Sequence, residues 1–439
     1  MPGPLSIGAI VNGPLFIGPI GDLLGGGSAF PLPAKYYNFS AANQNLPSDL
    51  TFTRASTAWY YNSSGILTQA TTNAPRFDYN PKTLQLNGLL IEQQSQNLLL
   101  YSSATNNAAW ASGAGSPTLT VNSAGAPDGT ATFNHFVRTT TAAQFVGISP
   151  GKAAVNQPYT VSGFVKAGAV GNYLNVRIQG IYPNRMDFQF NLSNGTVTFC
   201  QGGGSGFTGA ASIKYIGGGI YYFTATALTT DATAELYVHY SFNSNYQSFI
   251  DGNDSLSNTD GYIWGLQLEQ LPFATSYIPT TSSTVTRAAD SLVNTSIGGW
   301  FNPTQGAFFA EYYIPYSPTK NRVVEFNDGT SNNRMFFNAS SIDLQESILA
   351  TNATQYLNND VSASGIVKAG ISYGGTAQSG AHNGVSDGQY VAGVTPTGIT
   401  TLNLGGGGVP SGSFMNGWLR SFRYYNTALT AAQLQVVTQ

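Results

Sequence analysis

Charge is what this sequence has least of. Of 439 residues only 17 are Lys or Arg and 20 are Asp or Glu, 8% together, against roughly 25% in an average soluble domain. Neutralising phosphates takes clustered Lys and Arg, and there are no clusters here, which excludes an electrostatic nucleic-acid binder. Cys200 is the one cysteine, which excludes an internal disulfide framework and a zinc cluster. His135, His239 and His382 are far apart, with no H-x-x-H or H-E-x-x-H spacing. The sequence therefore predicts neither a metal site nor a cofactor. The first basic residue is Lys35, so the positively charged start of a secretory signal is missing. Leu5 to Leu24 is apolar, but Pro14, Pro19, Asp22 and several glycines interrupt it, which argues against a membrane span. A chain of extracellular character with no export signal is expected to leave the cell by lysis or as part of a particle.

Glycine (51 residues) and aromatic residues (13%) are what the chain has instead, with 42% hydrophobic residues and a net charge of −3. Disorder requires low hydrophobicity with high net charge, so this composition describes short strands, tight turns and a packed interior. The first 34 residues read as a separate segment. Gly3-Pro4-Leu5-Ser6-Ile7-Gly8 recurs as Gly13-Pro14-Leu15-Phe16-Ile17-Gly18, and the Gly-Pro breaks forbid a long helix. An apolar peptide that cannot fold alone is expected to lie extended in a groove of another protein. From Ala104 to Pro279 the pattern is strand-like, and Thr280 to Asp290 is a Thr/Ser-rich connection. Tyr159 to Lys166, Tyr173 to Ile178 and Glu235 to Tyr240 alternate with period two, and Asp128-Gly129 and Asn194-Gly195 are turn signals. A second β block runs from 291 to 439, with strands at Ala307 to Ile314 and Arg322 to Phe326 and turns at Asn383-Gly384 and Asp387-Gly388. Only Leu429 to Gln435 reads as helical, with Thr430 as N-cap. The expectation is all-β: two consecutive sandwiches of jelly-roll type, 104–290 and 291–439, after a connecting region 35–103.

Several blocks carry a resemblance. Thr53-Arg54-Ala55-Ser56, Ala74-Pro75-Arg76-Phe77-Asp78, Gly88 to Glu92 and Asn97 to Ser102 are similar to a signature of bacteriophage tail-fibre and head-fibre proteins. It continues through Tyr159 to Gly168, Ile263-Trp264-Gly265-Leu266-Gln267-Leu268-Glu269, Thr275 to Thr280 and Thr286-Arg287-Ala288-Ala289-Asp290. What this implies is a jelly roll similar to carbohydrate-binding modules, built into a virion protein. Val367 to Tyr373, Asn383-Gly384 and Asn416 to Asn426, with Leu429 and Gln433-Leu434, resemble the concanavalin A-like (laminin-G-like) sandwich. Fold likeness does not assign function.

Glycoside cleavage needs two carboxylates about 5–10 Å apart, and none of Glu92, Glu235, Glu269, Glu311, Glu325 or Glu346 begins the E-x-D-x-x-E of glucanases on this fold. The serine elbow G-x-S-x-G occurs at Gly147–Gly151, Gly370–Gly374 and Gly384–Gly388. Ser149 precedes Pro150, which has no N–H for an oxyanion hole; Ser372 sits inside a predicted strand; Ser386 leads into a strand at Gln389 to Val391, not a helix. Asp251-Gly252-Asn253-Asp254 with Asp260 offers oxygens, but Leu256 and Tyr262 stand where a calcium loop needs Gly and Glu. Trp264 reads as core, while Trp300-Phe301 and Trp418 are undetermined. Arg54, Arg76, Asp78, Glu92, Glu269 and Arg287 are expected to pair with one another, since a lone buried charge costs several kcal/mol.

The sequence assigns neither catalytic nor sugar-binding residues. The expected function is a non-catalytic tail fibre or spike on a virion surface. It would be a homotrimer, joined to other virion proteins by its first 34 residues and touching host surface glycan. Alternatives are a head fibre or capsid decoration without a receptor role, and a polysaccharide depolymerase.

Overall fold

The computed structural model describes residues 30–439 apart from 42–43, 113–114, 122, 152–156, 205–206, 230–233, 245–252, 317–318, 351–352, 358–360, 363, 375–377, 391–394 and 409–412. The Gly-Pro-Leu repeat and Asp251-Gly252 fall outside the described residues. The described residues form 32 β-strands, one 3-10 turn and one α-helix, Ala431–Val437, as an all-β sequence should. The helix begins on a capping box, in which the Thr430 hydroxyl accepts from the Gln433 N–H and the Gln433 side chain accepts from the Thr430 N–H.

The first sandwich is built from two six-stranded antiparallel sheets. One runs Phe207–Gly217, Ile220–Thr229, Gln157–Ala167, Asp260–Glu269, Asn134–Val137, Thr118–Thr120; the other runs Thr196–Gly203, Arg185–Asn191, Tyr173–Gln179, Tyr237–Asn243, Val146–Ile148, Ala111–Ser112. Val161, Val176, Phe188, Phe223, Tyr240 and Leu266 form part of one buried core between them. Gln157–Ala167 is buried over most of its length because its sheet is covered on both faces. A bulge makes this possible. Gly265 takes φ +63°, and the register with Gln157–Ala167 shifts there. Ile263, Leu266 and Leu268 therefore point into the sandwich while Trp264 points out, into a second core with Phe164 and Tyr277. The hairpin Ala58–Tyr61/Leu67–Ala70 closes that outer core with Leu67.

The segment 35–103, expected to connect, instead supplies strands to the C-terminal sandwich. Lys35–Asn38 pairs with Gly417–Tyr425, from Lys35 opposite Tyr424 to Asn38 opposite Ser421. Leu86–Ile91 pairs with the start of the same strand, and Thr51–Thr53 pairs with Ser291–Asn294. The physical reason is closure. Strands from 291 onward would leave one side of Gly417–Tyr425 unpaired, and Tyr37, Phe52, Phe77, Leu89 and Ile91 fill the same core as Phe308, Phe326 and Phe422. The jelly roll leaves this sandwich between Ser95–Asn97 and Val285–Arg287, which pair with Asn97 opposite Val285. It is an insertion, and the sandwich around it is assembled from both ends of the chain.

Candidate functional site

The sequence blocks that carry the phage-fibre resemblance meet in space at the root of the insertion. Asp290 accepts from Arg54 Nη1 (3.1 Å), Arg76 Nη2 (2.6 Å) and the Glu92 N–H (2.9 Å). Glu92 pairs with Arg76 (2.7 Å) and with Arg287, and accepts from the Ser276 N–H and hydroxyl, both at 2.7 Å. Arg54 donates to the Ser56 and Thr71 carbonyls, and the Ser56 hydroxyl accepts from the Ala288 N–H. These side chains are buried. Burial alone would raise the Glu92 carboxyl, but Arg287 and Arg76 outweigh it and hold it at about 2. The expected ionic pairing holds for Arg54, Arg76, Glu92 and Arg287, with Asp290 shared by Arg54 and Arg76 and Glu92 by Arg76 and Arg287.

It does not hold for Glu269 and Asp78. Glu269 accepts only neutral donors, from Ser95, Thr275 and Gln267, and burial pushes its carboxyl up. Asp78 accepts from the Tyr61 N–H (2.8 Å) at Oδ1, and from Asn87 Nδ2 (3.2 Å) and Trp418 Nε1 (2.9 Å) at Oδ2. Burial raises it to about 6 against these hydrogen bonds. Neither carboxyl hydrogen-bonds a guanidinium among the described residues, and at Asp78 burial outweighs both its hydrogen bonds and the charge of nearby Arg76.

Asp78 sits in the floor of a cleft of about 490 Å³ between the two sandwiches. The hairpin contributes Trp59, Tyr60 and Tyr61; the C-terminal sandwich contributes Tyr79, Asn87, Tyr316 and Trp418; the jelly roll contributes Ser212, Lys214, Tyr222 and Thr224. The walls are held by the fold. Gly88, opposite Asp78 at a bulge, takes φ +138°, and a Cβ there would lie 2.5 Å from the Leu419 carbonyl. No other residue lets these strands approach closely enough to bring Asp78 under Trp418. Tyr313, opposite Trp418 in register, stacks on its indole (centroids 5.4 Å apart, planes at 10°). A flat indole fixed on one side by a tyrosine and at its N–H by a carboxylate is a pre-set platform. With the hydroxyls and amides around it, the cleft offers apolar ring faces beside hydrogen-bonding groups, the combination that a sugar ring presents in return.

This coupling gives a pH signature. Protonation of Asp78 removes the charge facing the Trp418 N–H, so indole emission should change with a midpoint near pH 6. Trp418→Phe or Asp78→Asn should abolish that transition. A titration from pH 5 to 7 without a Trp418-dependent change would contradict the assignment.

The other candidates fall elsewhere. Ser149 donates to the Leu236 carbonyl (3.3 Å). Ser372 is buried in Ile366–Tyr373, with its hydroxyl bonded to the backbone of Leu429. Ser386 lies inside Val385–Tyr390, a strand that starts earlier than expected. Asp254 accepts from the Ser244 N–H and hydroxyl, and Asp260 from the N–H groups of Ala169 and Val170 and from His135. Both carboxylates are thus loop staples. His382 bonds Asp387, and His239 lies against Phe145. Glu311 pairs with Arg420, Glu325 with Arg322, and Glu235 accepts from the Tyr237 hydroxyl; Glu346 is buried in the C-terminal sandwich. Cys200 is an exposed thiol. Trp264 is core, as expected. Trp300 packs edge-on against Tyr424, and Phe301 stacks on Phe326, which leaves Trp418 as the member of that group facing the cleft. Sequence reasoning missed Trp59-Tyr60-Tyr61. A signal was available, since three successive aromatics on a strand cannot all face one core.

No family model matches the chain, and no curated protein does. Among solved structures it is similar to CBM40 of the Ruminococcus gnavus IT-sialidase bound to α2,3-sialyllactose, at 13% identity over 31% of this chain and 84% of that one (TM-score 0.28). It is also similar to domain 4 of AbnA, a GH43 extracellular arabinanase of Geobacillus stearothermophilus, in complex with arabinotriose (12% identity, 38% and 82% covered, TM-score 0.29). Domains LG4-5 of the mouse laminin α1 chain show 9% identity over 67% of this chain and 90% of theirs (TM-score 0.21). Scores this low assign no role to any residue here.

Proposed function

We propose that this chain is a bacteriophage virion protein, a tail fibre or spike, that holds host surface glycan in the cleft between its two sandwiches without cutting it. The observation that carries the glycan reading is the platform of Trp418, clamped by Tyr313 and Asp78 and faced by Trp59 to Tyr61 across an opening of about 490 Å³. The virion reading rests on the sequence blocks that resemble phage fibres. What supports binding without cleavage is how the carboxylates lining the cleft are used. Glu92 is clamped between two guanidiniums, and Asp78 takes three N–H donors. An acid poised to protonate a glycosidic oxygen needs a proton aimed at the ligand, and Asp78 faces donors instead. The chain is further taken to act as a homotrimer attached to other virion proteins through residues 1–34. Light scattering should then give three times the 46.3 kDa of one chain.

The purified chain should sediment with host cells, compete with phage adsorption and release no reducing sugar from host polysaccharide. Trp418→Ala should weaken binding at least tenfold, as loss of a central aromatic anchor does. Release of oligosaccharides would move the assignment to a depolymerase. Absence of binding, with normal adsorption of phage lacking the protein, would move it to capsid decoration.

A further inference from the structure

The chain as a whole is slightly acidic, yet the charge around the cleft runs the other way. The carboxylates lining it are Asp78 and Glu92; the first lies buried beneath Trp418 and the second is taken by Arg76 and Arg287. Behind them, three guanidiniums (Arg54, Arg76, Arg287) face two carboxylates (Glu92, Asp290), so that cluster keeps one positive charge in excess. At the mouth stand two of the chain's seven lysines. Lys214 lines the jelly-roll wall on the edge strand Phe207–Gly217 and is exposed. Lys82, next to the lining residue Pro81 of the opposite sandwich, reaches across to the same edge strand, its Nζ 5.7 Å from the Tyr215 ring centroid. Neither lysine pairs with a carboxylate among the described residues. By contrast Lys35 is taken by Asp49, and Lys368 by the Gln439 carbonyl.

We propose that the cleft selects an anionic saccharide, one that carries carboxylates on its rings. The inference rests on the glycan-binding reading above and narrows it. Aromatic faces hold any sugar ring by its C–H surface and are indifferent to charge. Two ammonium groups without carboxylate partners beside them favour a ligand that brings carboxylates, through charge-assisted hydrogen bonds. A neutral polymer gains the aromatic contacts and neutral hydrogen bonds but not the charge-assisted ones. Because the lysines come from opposite sandwiches, a carboxylate between them would also tie the two walls together. The lysines are exposed, so the attraction is screened and should weaken with salt.

The full chain can be tested against polygalacturonate, alginate, hyaluronate and polysialic acid, each beside its carboxyl-reduced form. At least one acidic polymer should bind about tenfold more tightly than its reduced counterpart, with the margin shrinking as salt rises from 50 to 500 mM. Lys214→Gln should lower affinity for that polymer about three- to fivefold and leave the reduced form unchanged. Lys82→Gln combined with Lys214→Gln should erase the preference, with urea midpoints showing that both variants remain folded. Equal binding of acidic and reduced forms, or a preference that survives the double variant, overturns the anionic assignment and leaves glycan binding standing. Binding to none of the polymers in either form overturns the glycan reading itself.

Discussion

The fragment 291–439, expressed without the residues before it, should fail to fold, whereas residues 98–284 should fold alone. The first half follows from the core of the C-terminal sandwich. Tyr37, Phe39, Leu50, Phe52, Phe77, Leu89 and Ile91 are all buried in it and all precede the jelly roll. At roughly 1.5–3 kcal/mol for each large apolar side chain, their loss amounts to more than ten kcal/mol. Whole domains are stable by only about 5–15 kcal/mol. The fragment would also lose both partners, Lys35–Asn38 and Leu86–Ile91, from one side of Gly417–Tyr425. The jelly roll keeps both of its sheets and its own core, and its ends leave from positions opposite each other, at Asn97 and Val285. Near-UV circular dichroism and urea unfolding of the two fragments will decide. A cooperative transition from 291–439 alone would mean that the split sandwich is not one folding unit.

Asp290→Ala should be the most damaging single substitution among the framework charges, at about 3–5 kcal/mol. The loss comes less from the missing contact than from what remains: Arg54 and Arg76, buried, with their shared partner gone. Asp290→Asn keeps the shape but not the charge and should recover only part of the loss. The pH dependence follows from the same cluster. Glu92 is depressed to about 2 in the folded chain, so its stabilising contribution is complete above the ordinary carboxylate range and is lost as pH falls toward 2. Asp78, raised to about 6, has the opposite sign. Between its unfolded pKa near 4 and 6 the folded state binds the extra proton, so stability should rise as pH falls through that window. Urea midpoints should therefore peak on the acid side, near pH 4 to 5. A loss under 1 kcal/mol for Asp290→Ala would show the cluster to be dispensable.

How much of this was legible in the sequence depends on how local the signal is. The Asn383-Gly384 turn was, because both residues need positive φ (45° and 81°) and little else satisfies that. The helix at Ala431–Val437 was too, since Thr430 and Gln433 form its cap within four residues. The pairing of Arg54 and Arg76 with a carboxylate could be expected from the cost of burying them alone. Which carboxylate could not, since Asp290 lies 236 residues from Arg54. The same distance hid the split sandwich. Nothing in Lys35–Asn38 says that its partner is Gly417–Tyr425, because strand pairing writes only its period into each strand and not the identity of the mate. The cleft was hidden for a related reason. Its aromatics come from widely separated stretches, and nothing in one stretch points to the others.

The placement of Lys35–Asn38 also has a mechanical meaning. That strand lies antiparallel to the second half of Gly417–Tyr425, and Trp418 stands at the beginning of the same strand. On the proposed function, a particle pulling from the residues before Lys35 and a cell holding on at Trp418 would put the tension along a single pair of strands in the C-terminal sandwich. The two ends are drawn apart lengthwise, so the hydrogen bonds between Lys35–Asn38 and its mate are loaded together in shear instead of being peeled one by one. The jelly roll is rooted between Asn97 and Val285, to one side of this line.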